Sequence, residues 1–174
     1  MATVSPHWDS YTRRILDLLG SQDPIVVQEK TARKLRKAVE DLSPSQLGWN
    51  PAAGKWSIRQ IIAHLVDTEI VYGYRLRKTL CDPGVAIEPF DQDVWAQKSR
   101  YENHSVQDDL NYLEALKAAN LDFYRRLSPA EWKIHWMHAE RGKESIEHTC
   151  KMIAGHDLNH MAQVEAIRKK ILAE

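Results

Sequence analysis

Cysteine is scarce in this chain. Of 174 residues only two, Cys81 and Cys150, carry a thiol, and they lie far apart with no CxxC spacing. That excludes a disulfide framework and a zinc finger, and it makes a reducing cytoplasm the expected location. An excess of one charge is also missing. Lys and Arg total 24, Asp and Glu total 24, and the formal net charge is zero. No electrostatic footprint for DNA, RNA or an anionic membrane is present, so no nucleic-acid partner is expected. No apolar run approaches the roughly 18 residues needed to span a bilayer, so no membrane association is expected. The start, "MATVSPHWDSYTRR", lacks the charged-then-apolar order of a signal peptide. Internal repeats and low-complexity linkers are absent as well, and the length fits one domain covering residues 1–174.

What the chain does have is enough apolar content to bury a core, with 43% hydrophobic against 28% charged residues. It also has eight histidines and six tryptophans. Pro and Gly fall in clusters that divide it into helical blocks. A short helix around "WDSYTRRILDLLG" ends on Gly20. "PIVVQEKTARKLRKAVEDL" begins a long one with Pro24 in its first turn. In the next block Ser57 and Gln60 form a capping box. Ile58, Ile61, Ile62, Leu65, Tyr72 and Leu76 then recur at helical spacing. "VAIEPFDQDVWAQKSRYENH" shows no steady period and reads as a long crossing loop. A third block opens at Ser105, with Asp108 an imperfect box partner, and a fourth runs from about Ser145 to Ala173. Between them, part of "SPAEWKIHWMHAERGKES" alternates as a short extended piece would. Four long helices and no major sheet make the fold class all-α. The long connection between the second and third helices lets them be parallel or non-neighbouring.

The fourth block carries the chemistry. Ile153, His156, His160, Val164, Ile167 and Ile171 step by three or four and share one face. An i, i+4 histidine pair offers two nitrogens to one ion, although the same pattern also occurs as two satisfied core histidines. Spacing alone leaves the third ligand open among His64, His104, His135, His138 and His148. His64 sits at one edge of the apolar stripe of its helix. Nearby acids are candidates to orient a ligand or move a proton: Asp67 and Glu69 beside His64, and Asp157 beside His156. Glu69 falls on an apolar face and must be paired or functional. Arg75 and Arg77 are its expected partners if it is paired. Cys150 reads as a core thiol.

Taken together, "GKWSIRQIIAHLVDTEIVYGYRLRKTL" and "AGHDLNHMAQVEAIRK" resemble the second-helix and last-helix signatures of the DinB/YfiT-like superfamily of metalloenzymes. (That family is unrelated to the DNA polymerase sharing the DinB name.) "DQDVWAQKSRY" and "RGKESIEHTCKMIAGHD" fit the same pattern, so the likeness runs from about Tyr11 onward. The resemblance implies an up-down-down-up four-helix bundle, often a homodimer. It also implies a divalent metal on three histidines, which fall on His64, His156 and His160.

Three neutral imidazoles leave room for water or substrate, as in catalytic rather than closed structural sites. Zinc or nickel suits such a donor set, with iron or manganese as alternatives. Characterised relatives in that superfamily include thiol transferases and a mycothiol-dependent isomerase. The expected activity is therefore transfer of a low-molecular-weight thiol to a small electrophile. The alternatives are a metal-dependent hydrolase of a small molecule and a non-catalytic bundle stapled by its metal.

Overall fold

The computed structural model describes the backbone of residues 6–173, with side chains from Ser10 to Ala173. Helix α1 spans Pro6–Leu19 and α2 Pro24–Val39, and a single turn, α3, covers Pro44–Leu47. The remaining helices are α4 (Ile58–Cys81), α5 (Gln92–Lys98), α6 (Val106–Arg125) and α7 (Ile146–Ile171). Strands β1 (Ala86–Ile87), β2 (His135–His138) and β3 (Gly142–Ser145) form one small sheet.

Side-chain caps place the helix starts. Asp23 accepts from the backbone N–H groups of Ile25 and Val26 at 2.8 and 3.2 Å, with Pro24 following it. Ser57 and Gln60 close a reciprocal capping box at 3.3 and 3.0 Å. Ser105 caps α6 through the Asp108 N–H, without a reciprocal bond from the Asp108 side chain. Ser145 accepts from the His148 N–H and starts α7.

Two buried clusters fix the helix directions. In one, Leu35 and Val39 near the end of α2 and Val164, Ile167 and Ile171 of α7 meet Ile58, Ile61 and Ile62 of α4 and Val106 and Leu110 of α6. In the other, Leu76 of α4 and Leu121 and Tyr124 of α6 meet Ile146 and Cys150 of α7, with Ile25 of α2 alongside. The carboxyl ends of α2 and α7 thus lie with the amino ends of α4 and α6. The order is up-down-down-up. Parallel neighbours α4 and α6 need a long connection, which residues 82–105 supply.

That connection is more ordered than its sequence period indicates. It holds β1, then α5 capped by Asp91, then a 3₁₀ turn at Tyr101–Asn103. Each piece is too short to show periodicity, and α5 buries only Ala96. The alternating stretch expected after α6 forms β2 and β3, joined antiparallel, while β1 joins β2 in parallel. Wholly buried Trp136 anchors this sheet among Leu76, Ile87 and Ile146.

Helix α1 lies across α7 at a glycine. A Cβ on Gly155 would come within 2.2 Å of the Ile15 carbonyl oxygen. Neither backbone can yield cheaply there. Gly155→Ala is expected to destabilise the protein by about 1–3 kcal/mol, read as a lower midpoint in chemical unfolding.

Candidate metal centre

His64 lies two turns into α4, and His156 and His160 lie one turn apart on α7. Their Nε2 atoms converge. His156 Nε2 is 3.1 Å from His64 Nε2 and 3.1 Å from His160 Nε2. One nitrogen from each ring lies within 4.8 Å of the others. His64 and His160 are buried, while His156 is partly exposed to the cleft that it lines.

Burial drives all three imidazoles toward the neutral form. The His64 and His156 pKa values lie well below 6.5, first through desolvation and then through neighbouring imidazoles. His160 is lowered to about 4, again mainly by burial, with its bond to Gln163 opposing. His160 Nδ1 donates to Gln163 Oε1 at 3.1 Å, which turns the lone pair of Nε2 inward. The Nδ1 atoms of His64 and His156 are buried without partners. Held with all three lone pairs inward, as metal ligation requires, the nitrogens would repel one another unless a cation lay between them. Nitrogens bonded to one tetrahedral ion at about 2.0–2.1 Å would stand roughly 3.3 Å apart. The residues therefore fit a divalent ion.

The three candidate acids lie elsewhere. Asp67 accepts from the Tyr101 hydroxyl at 2.6 Å. Glu69 and Asp157 flank Lys117, whose Nζ is 2.7 Å from each. Thr31 donates to Asp157 at 2.7 Å and Asn120 to Glu69 at 2.8 Å. Glu69 is thus paired on its apolar face, but by Lys117 of α6; Arg77 reaches Asn120 instead. Periodicity within α4 could not show a partner 48 residues away. None of the three acids occupies His64 Nδ1, and none lines the cleft beside the histidines. Burial lifts Asp157 to about 6 against the pull of Lys117.

The other histidines separate cleanly. His104 pairs with Asp109 at 3.0 Å. His135 lies on β2 and His148 in the first turn of α7. His138 is buried on β2 and lines the cleft. Cys150 is a core thiol that Gln28 contacts, with its pKa pushed up to about 12 by burial.

The cleft runs from His64 and His156 past Phe90 and Arg75 to His138 and Arg141. Trp56 packs its ring 4.9 Å from that of His64, and Phe90 stacks at 6.4 Å. The sequence named Arg75 only as a candidate partner of Glu69 and His138 only as a candidate ligand, and it missed Glu140, the carboxylate among the cleft-lining residues. Glu140 Oε2 is buried and accepts no hydrogen bond. Only the β2–β3 turn brings His138 and Glu140 here, and no helical spacing marks it.

The model of the DinB superfamily matches residues 29–164. The chain belongs to the DinB superfamily. A protein of Oceanobacillus iheyensis named "Putative metal-dependent hydrolase" is 30% identical over 82% of this chain and 82% of its own length. YfiT of Bacillus subtilis, similarly named, is 26% identical over 84% of this chain and 83% of its own. A solved structure of Bacillus subtilis YfiT, described as a four-helix bundle of unusual topology, superposes with a TM-score of 0.79. That match covers 98% of this chain and 91% of YfiT at 22% identity, and it concerns the fold. Among the described residues of this DinB-superfamily chain, no helix is long and apolar enough to cross a membrane.

Two measurements test this region. Replacing Lys117 with Met leaves two buried carboxylates without their cation, and a loss of about 3–5 kcal/mol in unfolding free energy is expected. The second concerns pH. The folded state holds the imidazoles' pKa values below that of the unfolded chain, so their contribution is present above about pH 6.5 and is lost as pH falls toward the folded values. For His160 alone, the interval from 6.5 to about 4 is worth on the order of 3 kcal/mol. The metal-free protein should therefore lose stability steeply between pH 6.5 and 4 in denaturant titrations. A flat profile there would contradict the burial of these rings.

Proposed function

We propose that this protein is a metal-dependent hydrolase of a small molecule, with His64, His156 and His160 as the metal ligands. The observation that carries the reading is the convergence of three buried imidazole nitrogens, two of whose rings, His64 and His156, line a cleft. The names of the relatives from Oceanobacillus iheyensis and Bacillus subtilis support hydrolysis. Zinc or nickel suits a donor set of imidazoles. When bound, such an ion acidifies water and polarises a carbonyl oxygen, which is the chemistry hydrolysis needs near neutral pH.

The chain's own residues supply the rest. Gln163 holds the His160 ring so that Nε2 faces its two partners. Trp56 and Phe90 form apolar walls around His64 and limit the water beside it. Glu140 Oε2, with no hydrogen-bond donor of its own, takes the proton that hydrolysis releases and returns it to the leaving group. Asp67, Glu69 and Asp157 are already bound to Tyr101, Lys117, Asn120 and Thr31, and they act by positioning helices.

Transfer of a low-molecular-weight thiol, the activity expected from the sequence, would use the same three nitrogens. One assay separates the two. The zinc- or nickel-loaded protein is offered small esters and amides without thiol, then epoxides with each thiol in turn. Product from the thiol-free set is expected; product only with a thiol would overturn hydrolysis. His156→Ala should lose stoichiometric metal. Glu140→Gln should keep its metal and lower kcat by about 10²–10⁴-fold.

A further inference from the structure

The cleft that His64 and His156 line also carries two groups that the proposed hydrolysis leaves unused, one further along α4 and one on β2. The first is Arg75, 4% exposed. Its guanidinium donates to the Glu88 carbonyl oxygen and lies 5.3 Å from the ring centre of Tyr72 and 5.8 Å from that of Phe90. Among the described residues it forms no ion pair, unlike Arg141, which binds Glu144 through two nitrogens at 2.6 and 3.0 Å. A buried guanidinium without a carboxylate is costly, and proteins keep one where an anion comes to meet it.

The second is His138, 2% exposed. Its Nδ1 accepts the backbone N–H groups of Glu140 and Arg141 at 3.2 and 3.3 Å. That fixes the tautomer, because an Nδ1 that accepts carries no proton and the hydrogen must sit on Nε2. Nε2 is buried and has no partner. Two residues that line the cleft thus hold a fixed N–H donor lacking an acceptor and a guanidinium lacking an ion pair. Glu140 and Glu144, the acids on the same turn, lie beside Arg141; the field of Glu144 also reaches Arg75, though without an ion pair.

From this juxtaposition the geometry points to a substrate that carries a carboxylate, held by Arg75 and the Nε2–H of His138, while its hydrolysable bond lies toward His64 and His156. A planar carboxylate matches both donors: one oxygen takes the guanidinium and the other the imidazole N–H. A neutral substrate of the same shape would leave Arg75 buried and unpaired. The inference rests on the reading of the cleft as the substrate site.

The test uses the full-length zinc-loaded protein with propionate and propionamide, probes of equal shape and different charge. Binding is followed by the side-chain nitrogen resonances of His138. Propionate should bind at least tenfold tighter than the amide and shift the Nε2 signal. Arg75→Met should erase that preference while zinc content stays at the wild-type value, and His138→Phe should weaken propionate several-fold. Equal binding of acid and amide by the wild type overturns the proposal without needing any variant to fold. A preference that survives in Arg75→Met also overturns it, since the metal alone would then be taking the carboxylate. Absence of zinc from the wild type would defeat the hydrolase reading instead, and the acid–amide preference is then read on the metal-free protein.

Discussion

One buried cation ties the bundle together. Lys117 of α6 lies between Glu69 of α4 and Asp157 of α7, and Asp157 also accepts from Thr31 of α2. All four long helices meet at this ammonium group. Apolar packing tolerates small slides of one helix along another, because many side-chain arrangements fill the space nearly as well. A charge network does not, since a displacement of one residue leaves a buried ion without its partner. His64 is five residues before Glu69 on α4, and His156 immediately precedes Asp157 on α7. The network thereby sets the register that brings three imidazole nitrogens within 4.8 Å.

Its charge also matters. Two carboxylates face one ammonium group, which leaves about one negative charge inside the bundle when both acids are ionised. Burial opposes that state, and Asp157 is lifted to about 6 as a result. A divalent cation at the adjacent histidines would lower the cost of keeping Asp157 ionised, and Asp157 would in turn favour the cation. With an ion on the histidines, the acid beside His156 would act on it through its field, since its oxygens are already held by Lys117 and Thr31.

Much of the architecture was legible because helices announce themselves locally. Ser57 with Gln60, Ser105 and Ser145 mark starts that the structure keeps. The three histidines were legible in a different way. Spacing made His156 and His160 a pair, whereas His64 came from the resemblance, since nothing in a single helix tells which distant ring will face it. Long-range partners stayed hidden for the same reason. Glu69 was expected either to serve the site or to pair with an arginine on its own helix, and its partner is Lys117 on another. Strand-borne groups were hidden further still: four-residue strands such as β2 have too little period to place His138 inside.

These differences bear on how the site divides its work. The helical residues, legible from spacing and signature, build a donor set that suits many reactions. If the cleft holds the substrate, discrimination would fall to the β2–β3 turn and Arg75, where His138 and Glu140 are held by hydrogen bonds too local to leave a periodic trace. A bundle rigidified by Lys117 can keep its three nitrogens in place while the turn varies. Change in that turn would alter which molecule is held without disturbing the metal ligands. On that reading, chains sharing the histidine pattern would differ in substrate through the turn rather than through the helices.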